Sequence, residues 1–205
     1  MDELRDEPGT APPGARLDRR QAVARLLRDR GGLLVVTGLG APTYDCAAAG
    51  DHANNFYLWG AMGGAAVLGL GLAIAQPGRR VLVLTGDGEQ LMGLGALATI
   101  GVRRPANLSI VVLDNERYAE TGGQRTHTAH GVDLAEVARA CGFAAALTVR
   151  SDEQIDALRA AVHGGDGPLL AAVKVDPTDL PRVLPPRDGV FLSRRFREAV
   201  AGSPY

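Results

Sequence analysis

The sequence predicts an α/β fold: a three-layer arrangement in which a mostly parallel sheet carries helices on both faces. Three observations lead there. Two apolar runs of strand length, 81–85 and 108–113, end abruptly in polar residues, Gly86-Asp87-Gly88 and Asp114-Asn115. Further apolar runs lie at 33–37, 144–149 and 168–175. Helix-length segments separate all of these runs, and strands alternating with helices build a parallel sheet. Such a sheet is buried on both faces, so its strands read as continuous apolar runs.

Each element has its own justification. Residues 1–16 are rich in Pro, Gly and charge, which predicts a disordered segment ahead of a single domain over 17–205. Asp18 is suited to cap a helix reaching residue 29, with Val23, Leu26 and Leu27 on one face, and Gly31-Gly32 stop it. The first strand, 33–37, runs into Gly38-Leu39-Gly40, and 42–50 form a short helix. A turn at 60–64 precedes a helix over 65–76. That helix is apolar on all sides and is therefore expected to be buried all round, with Gly69 and Gly71 allowing close packing. Strand 81–85, helix 90–101 and strand 108–113 follow. The polar, glycine-bearing stretch 116–132 reads as a mobile loop. Asp133 caps a helix through 140, and then come strand 144–149, helix 152–162 and strand 168–175. A tail with Pro177, Pro181, Pro185 and Pro186 leads to a helix near 191–201. There is no internal repeat.

Composition excludes several classes. A chain of 205 residues with 46% hydrophobic content buries a substantial core. A formal net charge of −1 gives no global basic field to attract nucleic acid. Cys46 and Cys141 are far apart, which fits small apolar packing in a reducing compartment. The acids Asp2 and Glu3 do not open a signal peptide, and the apolar stretch 61–75 is too short to span a bilayer. These features predict a soluble, cytoplasmic protein.

The chemistry-bearing residues sit where the fold would gather them. Parallel strands bring the ends of 81–85 and 108–113 to one sheet edge, and open α/β sheets bind ligands at that edge. The edge then offers the Asp87 carboxylate and the Asn115 side-chain carbonyl beside glycine backbone. Hard oxygen ligands of this kind suit Mg²⁺ carrying a phosphorylated cofactor. The alternative is a helix start with Asp87 as an ordinary turn residue.

Gly86-Asp87-Gly88, with Asn115 following after twenty-six intervening residues, resembles the metal–diphosphate signature of thiamine-diphosphate enzymes. A second block, Asn55 to Gly64, looks like their cofactor-pyrimidine loop. With Leu113-Asp114-Asn115-Glu116 and Thr121-Gly122-Gly123-Gln124, the stretch 37–124 most resembles the phosphonopyruvate and sulfopyruvate decarboxylase branch. The resemblance implies Mg²⁺ held by Asp87, Asn115 and the Arg117 backbone carbonyl. It implies thiamine diphosphate held through Gly86, Asp87, Gly88 and Glu89, with Thr37, Gly38 and Gly40 meeting the other end of the diphosphate. The helix after Asp87 adds its positive N-terminal end. A carboxylate beside a diphosphate is repulsive, so Glu89 is expected to make its contact through its backbone N–H and to point its side chain away. The Gly60 carbonyl would accept from the cofactor's 4′-amino group. Met62 would wedge between the cofactor rings, the alternative being that Met62 is simply core.

Thiamine chemistry serves 2-oxo acids, because the thiazolium accepts the electrons released with CO₂. His127, beside the Thr121-Gly122-Gly123-Gln124 motif, is the candidate proton donor, with an exposed loop histidine as the equal alternative. The family also needs a glutamate from a pyrimidine-binding domain, and no stretch here resembles that domain. The resemblance therefore implies a subunit active only with a separate pyrimidine-binding chain, in an α₂β₂ or larger assembly. Three other readings stand beside it. An acetolactate-synthase-like carboligase subunit shares the early chemistry. A non-catalytic cofactor-binding module is disfavoured by retention of Asp87, Asn115 and Met62. A ferredoxin-linked oxidoreductase chain would need cysteine clusters that are absent. One departure is Ala41-Pro42-Thr43-Tyr44-Asp45, where phosphonopyruvate and sulfopyruvate decarboxylases show a Ser-Arg-Glu-like motif. It bears on the anionic substrate and leaves cofactor binding untouched.

Overall fold

The computed structural model describes residues 16–202. Of the segment 1–16 expected to be disordered, all but Arg16 lies outside the described residues. The chain runs α1 (Arg19–Leu26), β1 (Leu34–Thr37), α2 (Ala41–Ala48), β2 (Asn55–Tyr57), α3 (Ala65–Ala75), β3 (Val81–Gly86), α4 (Asp87–Met92), α5 (Ala96–Arg103) and β4 (Leu108–Asp114). It continues through a small hairpin, β5 (Arg117–Tyr118) and β6 (Gln124–Arg125), then α6 (Leu134–Ala140), β7 (Ala145–Val149), α7 (Asp152–Gly164), β8 (Leu169–Lys174) and α8 (Gly189–Ala201).

Six strands form one sheet in the order β2-β1-β3-β4-β8-β7, every pairing parallel. Alternation along each strand sorts its side chains onto two cores. Val35, Leu82, Leu84, Val111 and Leu113 face α1, α2 and α7. Val36, Val81, Val83, Ile110 and Val112 face α3, α5 and α6. Both sets are fully apolar, which is why the strands read as uninterrupted apolar runs. Each such Leu, Ile or Val contributes ~1.5–3 kcal/mol through burial.

Local chemistry sets the helix starts. The Asp18 carboxylate accepts from Gln21 N–H, and that of Asp133 from Ala135 and Glu136 N–H. Ser151 and Gln154 form a reciprocal capping box ahead of α7.

Three expectations need correction. The helix expected over 90–101 is two helices, broken at Gly93. Gly93 is the C-cap of the first helix and lies so close to Gly63 that a side chain there would collide with the Gly63 carbonyl. The helix at 65–75 is not buried all round: one face packs on the sheet, while Val67 is 52% and Ile74 48% exposed. Of its glycines, Gly69 meets Val83 at close approach and Gly71 faces open space. Finally, the stretch 116–132, expected as one loop, holds the β5–β6 hairpin and two 3-10 turns. β2 is a strand that the sequence reading did not assign.

The topology positions a crevice. From β1 the chain crosses by α2 to β2 on one side, and from β3 it crosses by α4 and α5 to β4 on the other. The connections therefore diverge above the neighbouring ends of β1 and β3, and such divergence leaves a ligand-sized gap at the carboxyl edge.

Candidate functional site

One cavity occupies that gap. Gly40, Met62, Gly86, Asp87, Gly88 and Asn115 line it, together with Glu89 and Arg117. The register Gly86↔Leu113 at the end of β3 and β4 explains how Asp87 and Asn115 come together over so long a sequence separation. Both are buried, Asp87 to 2% exposure.

Asp87 stands at the start of α4, where Gly86 is extended. Its Oδ2 accepts from Thr126 Oγ1 at 2.5 Å and lies 3.3 Å from Thr128 Oγ1. Burial, then the neighbouring Asp114 charge, push the Asp87 carboxyl up to about 6, against the pull of the two hydroxyls. Asn115 turns its side-chain oxygen onto Arg117 N–H at 2.9 Å. Between them, Glu116 is left-handed at φ +61°, a conformation uncommon for a residue with a side chain.

Glu89 does not point away from this region. Its carboxylate accepts from Leu39 N–H at 2.9 Å and fills the space that Gly38 leaves by lacking a Cβ. Burial raises the Glu89 carboxyl above its ordinary value, while the Leu39 amide pulls it back. Thr37 is fully buried and outside the cavity lining. Its hydroxyl meets Thr43 Oγ1 at 2.6 Å, and Thr43 also donates to the Gly38 carbonyl. Met62 is 39% exposed and lines the cavity rather than the core. Gly60 is exposed, at φ +74°, outside the lining. His127 is exposed, also outside the lining, with Nδ1 3.3 Å from the Tyr118 hydroxyl. Tyr118 covers Gly88 so closely that a Cβ there would lie 2.8 Å from its ring.

Sequence reasoning missed several residues. Thr126 and Thr128 flank His127 at the start of a 3-10 turn, and no local pattern in a stretch read as a loop marked their hydroxyls as partners of Asp87 and Asp114. Lys174 ends an apolar run just as Asp114 does, and its Nζ reaches Asp114 Oδ2 at 2.6 Å. Arg19 lines the cavity while paired with buried Asp45, and nothing local in the sequence marked it. Asp45 lies in the stretch that departs from the Ser-Arg-Glu-like pattern, which here forms the first turns of α2.

Fold and crevice define the class: an open parallel α/β domain with its ligand gap where the strand connections diverge. Residues 37–173 match the family described as "Thiamine pyrophosphate enzyme, C-terminal TPP binding domain", and the chain belongs to that family. Among curated proteins it is 42% identical over 207 residues to the phosphonopyruvate decarboxylase of Streptomyces viridochromogenes, covering 95% of this chain and 50% of that protein. It is 38% identical to the sulfopyruvate decarboxylase subunit beta of Methanothermobacter thermautotrophicus, covering 91% of this chain and 97% of that one. The chain thus spans about half the length of the phosphonopyruvate decarboxylases it matches. A solved structure, described as that of "a putative thiamin diphosphate-dependent enzyme isolated from Mycobacterium smegmatis", superposes with a TM-score of 0.69 at 23% identity, over 80% of this chain and 32% of that one, which shows the shared fold. Among the described residues no helix is long and apolar enough to cross a membrane.

Proposed function

We propose that this chain is the diphosphate- and Mg²⁺-binding subunit of a cytoplasmic, two-chain thiamine-diphosphate-dependent 2-oxo acid decarboxylase, completed by a pyrimidine-binding partner. The observation that carries the reading is the single cavity shared by Asp87, Asn115 and Arg117 at the ends of two adjacent strands. The residues fit the group: a buried carboxylate and an amide oxygen are the hard ligands Mg²⁺ takes. The Leu39 amide is already held by Glu89, so the diphosphate fit rests on Gly40 and the Gly86–Gly88 turn.

When bound, the coenzyme supplies an electron sink for the carbon that loses CO₂. The chain's own groups do the rest. Asp87, Asn115 and the Arg117 carbonyl hold the cation. Met62 would wedge between the coenzyme rings, and the Gly60 carbonyl would accept from its 4′-amino group. Tyr118 would exclude water above Gly88, and His127 would deliver a proton. A neighbouring cavity of about 290 Å³ is lined by Arg19, Arg117 and Arg182 and by the acids Glu120 and Asp179. Arg19 pairs with Asp45 and Arg182 with Glu120, so support for a second anionic group on the substrate rests on the Arg117 guanidinium and the names of the relatives. Three curated relatives are named as beta subunits, which supports a separate partner here.

The test is reconstitution with a pyrimidine-binding chain. The pair should release CO₂ from phosphonopyruvate or sulfopyruvate, and this chain alone should release none. Thiamine diphosphate with Mg²⁺ should raise the melting temperature of the complex, and Asp87→Ala should abolish that rise. Turnover by the unaided chain would overturn the split-site reading.

A further inference from the structure

We propose that Lys174 is a positioning residue that fixes both cation ligands, Asp87 and Asn115, at once. The proposal rests on the Mg²⁺ reading above. Lys174 closes β8 level with Asp114 in the β4–β8 register. Its ammonium donates to Asp114 Oδ2 at 2.6 Å and to Glu116 Oε1 at 3.0 Å, the two residues that bracket Asn115. Arg16 takes the other Glu116 oxygen, Oε2, at 2.6 Å. Two cations therefore hold Glu116 in its left-handed conformation. That turn lets Arg117 N–H reach Asn115 Oδ1 and fix the direction of the amide oxygen.

The same ammonium bears on Asp87 by offsetting the charge of Asp114, from which a single hydroxyl, Thr128 Oγ1, separates it. Asp114 Oδ1, the oxygen that Lys174 does not engage, accepts from Thr128 Oγ1 at 2.8 Å. Thr128 Oγ1 stands 2.9 Å from Thr126 Oγ1, which donates to Asp87 Oδ2 at 2.5 Å. Each hydroxyl has one proton to give. The two shortest contacts to carboxylates use both protons, one on Asp114 and one on Asp87. Thr126 alone donates to Asp87, at Oδ2, and Thr128, its proton spent on Asp114, stands 3.3 Å from the same oxygen, which leaves Oδ1 as the oxygen for a cation. Without Lys174, Asp114 would confront Asp87 with no countercharge from β8, and Thr128 would have no fixed acceptor to turn toward.

Groups that orient a metal ligand typically govern roughly 10–100-fold in metal affinity. The test is Mn²⁺ titration of the reconstituted two-chain complex with thiamine diphosphate present, read by electron paramagnetic resonance. Lys174→Met should weaken Mn²⁺ by at least roughly tenfold, and Lys174→Arg should restore most of the loss. Thr128→Val removes the hydroxyl between Asp87 and Asp114 while leaving the Lys174 pairs intact. It should weaken Mn²⁺ in protein that stays folded at the assay temperature, which a purely structural role would not do, while the lost hydrogen bond to buried Asp114 lowers the metal-free melting temperature. If Lys174→Met fails to fold, Thr128→Val decides the matter. Unaltered affinity in Thr128→Val and, where it folds, in Lys174→Met, with Asp87→Ala still abolishing binding, overturns this inference alone. Absence of Mn²⁺ binding by the unaltered complex, or retained binding in Asp87→Ala, overturns the cofactor reading on which it stands.

Discussion

Thr126 donates its hydroxyl proton to Asp87 at 2.5 Å, tying the segment after the β5–β6 hairpin to the start of α4. The bond is one of few compensations for a costly arrangement, since Asp87 is buried and shares its network with Asp114. Its carboxyl is pushed up to about 6 from an ordinary 3.8. A raised carboxyl holds its proton in the folded state where the unfolded chain has released it. The resulting stability is present below about 3.8 and is lost as pH rises through about 6. Above that pH the charge costs on the order of 3 kcal/mol. The metal-free Asp87→Asn chain should therefore melt several degrees higher than the unaltered chain at pH 7.5, with the gap closing by pH 4. Calorimetric scans across that range decide it, and an equal or lower melting temperature at pH 7.5 contradicts the burial argument.

Much of this was legible in the sequence because it follows from backbone-level rules. Apolar runs ending in Asp87 and Asn115 announced strands whose tips share an edge, and the parallel sheet places both in one cavity. Asp18 and Asp133 announced their helices by capping. What stayed hidden depends on tertiary neighbours. The close approach that requires glycine at the Gly93 break comes from Gly63, thirty residues away. The Glu89 carboxylate was expected to turn from an anion, yet the nearest available donor was an amide of the β1 turn. No local pattern pairs Lys174 with Asp114, because β8 reaches β4 only after β7 and α7 have been built.

Gly38 and Glu89 form a steric pair. A Cβ at Gly38 would sit on the Glu89 carboxylate. Gly38→Ala should therefore destabilise the chain by about 1–3 kcal/mol, as overpacking does. In a Glu89→Ala background the same substitution should cost little. Urea unfolding of the four chains gives the coupling, expected at about 1 kcal/mol or more. Additive effects would show that the two side chains do not share this space.

His127 lies outside the cavity but touches the Tyr118 hydroxyl, and Tyr118 covers Gly88. A proton donor placed on that cover should act on turnover and not on coenzyme binding. His127→Ala in the reconstituted enzyme should lower kcat by roughly a hundredfold or more with unchanged affinity for thiamine diphosphate. Stopped-flow and binding titrations separate the two effects. An unchanged kcat removes His127 from the mechanism.

The Arg19–Asp45 pair gives the sharpest test of how the cavity wall is held. Both side chains are buried, and Arg20 Nε adds a second contact to Asp45 Oδ1 at 3.1 Å. Desolvating two charges offsets much of their attraction, so the intact pair contributes little net stability, whereas one charge stranded in the interior is expensive. Asp45→Ala should thus destabilise the chain by about 3–5 kcal/mol, because the Arg19 guanidinium is left without its acceptor. The double variant Arg19→Met with Asp45→Leu should recover most of that loss, since no buried charge remains. Yet Arg19 also lines the cavity. The double variant should therefore regain stability while binding an anionic 2-oxo acid less tightly, seen as a raised KM in the reconstituted enzyme. Equal destabilisation of the single and double variants would mean that packing, not charge, fixes α1 to α2.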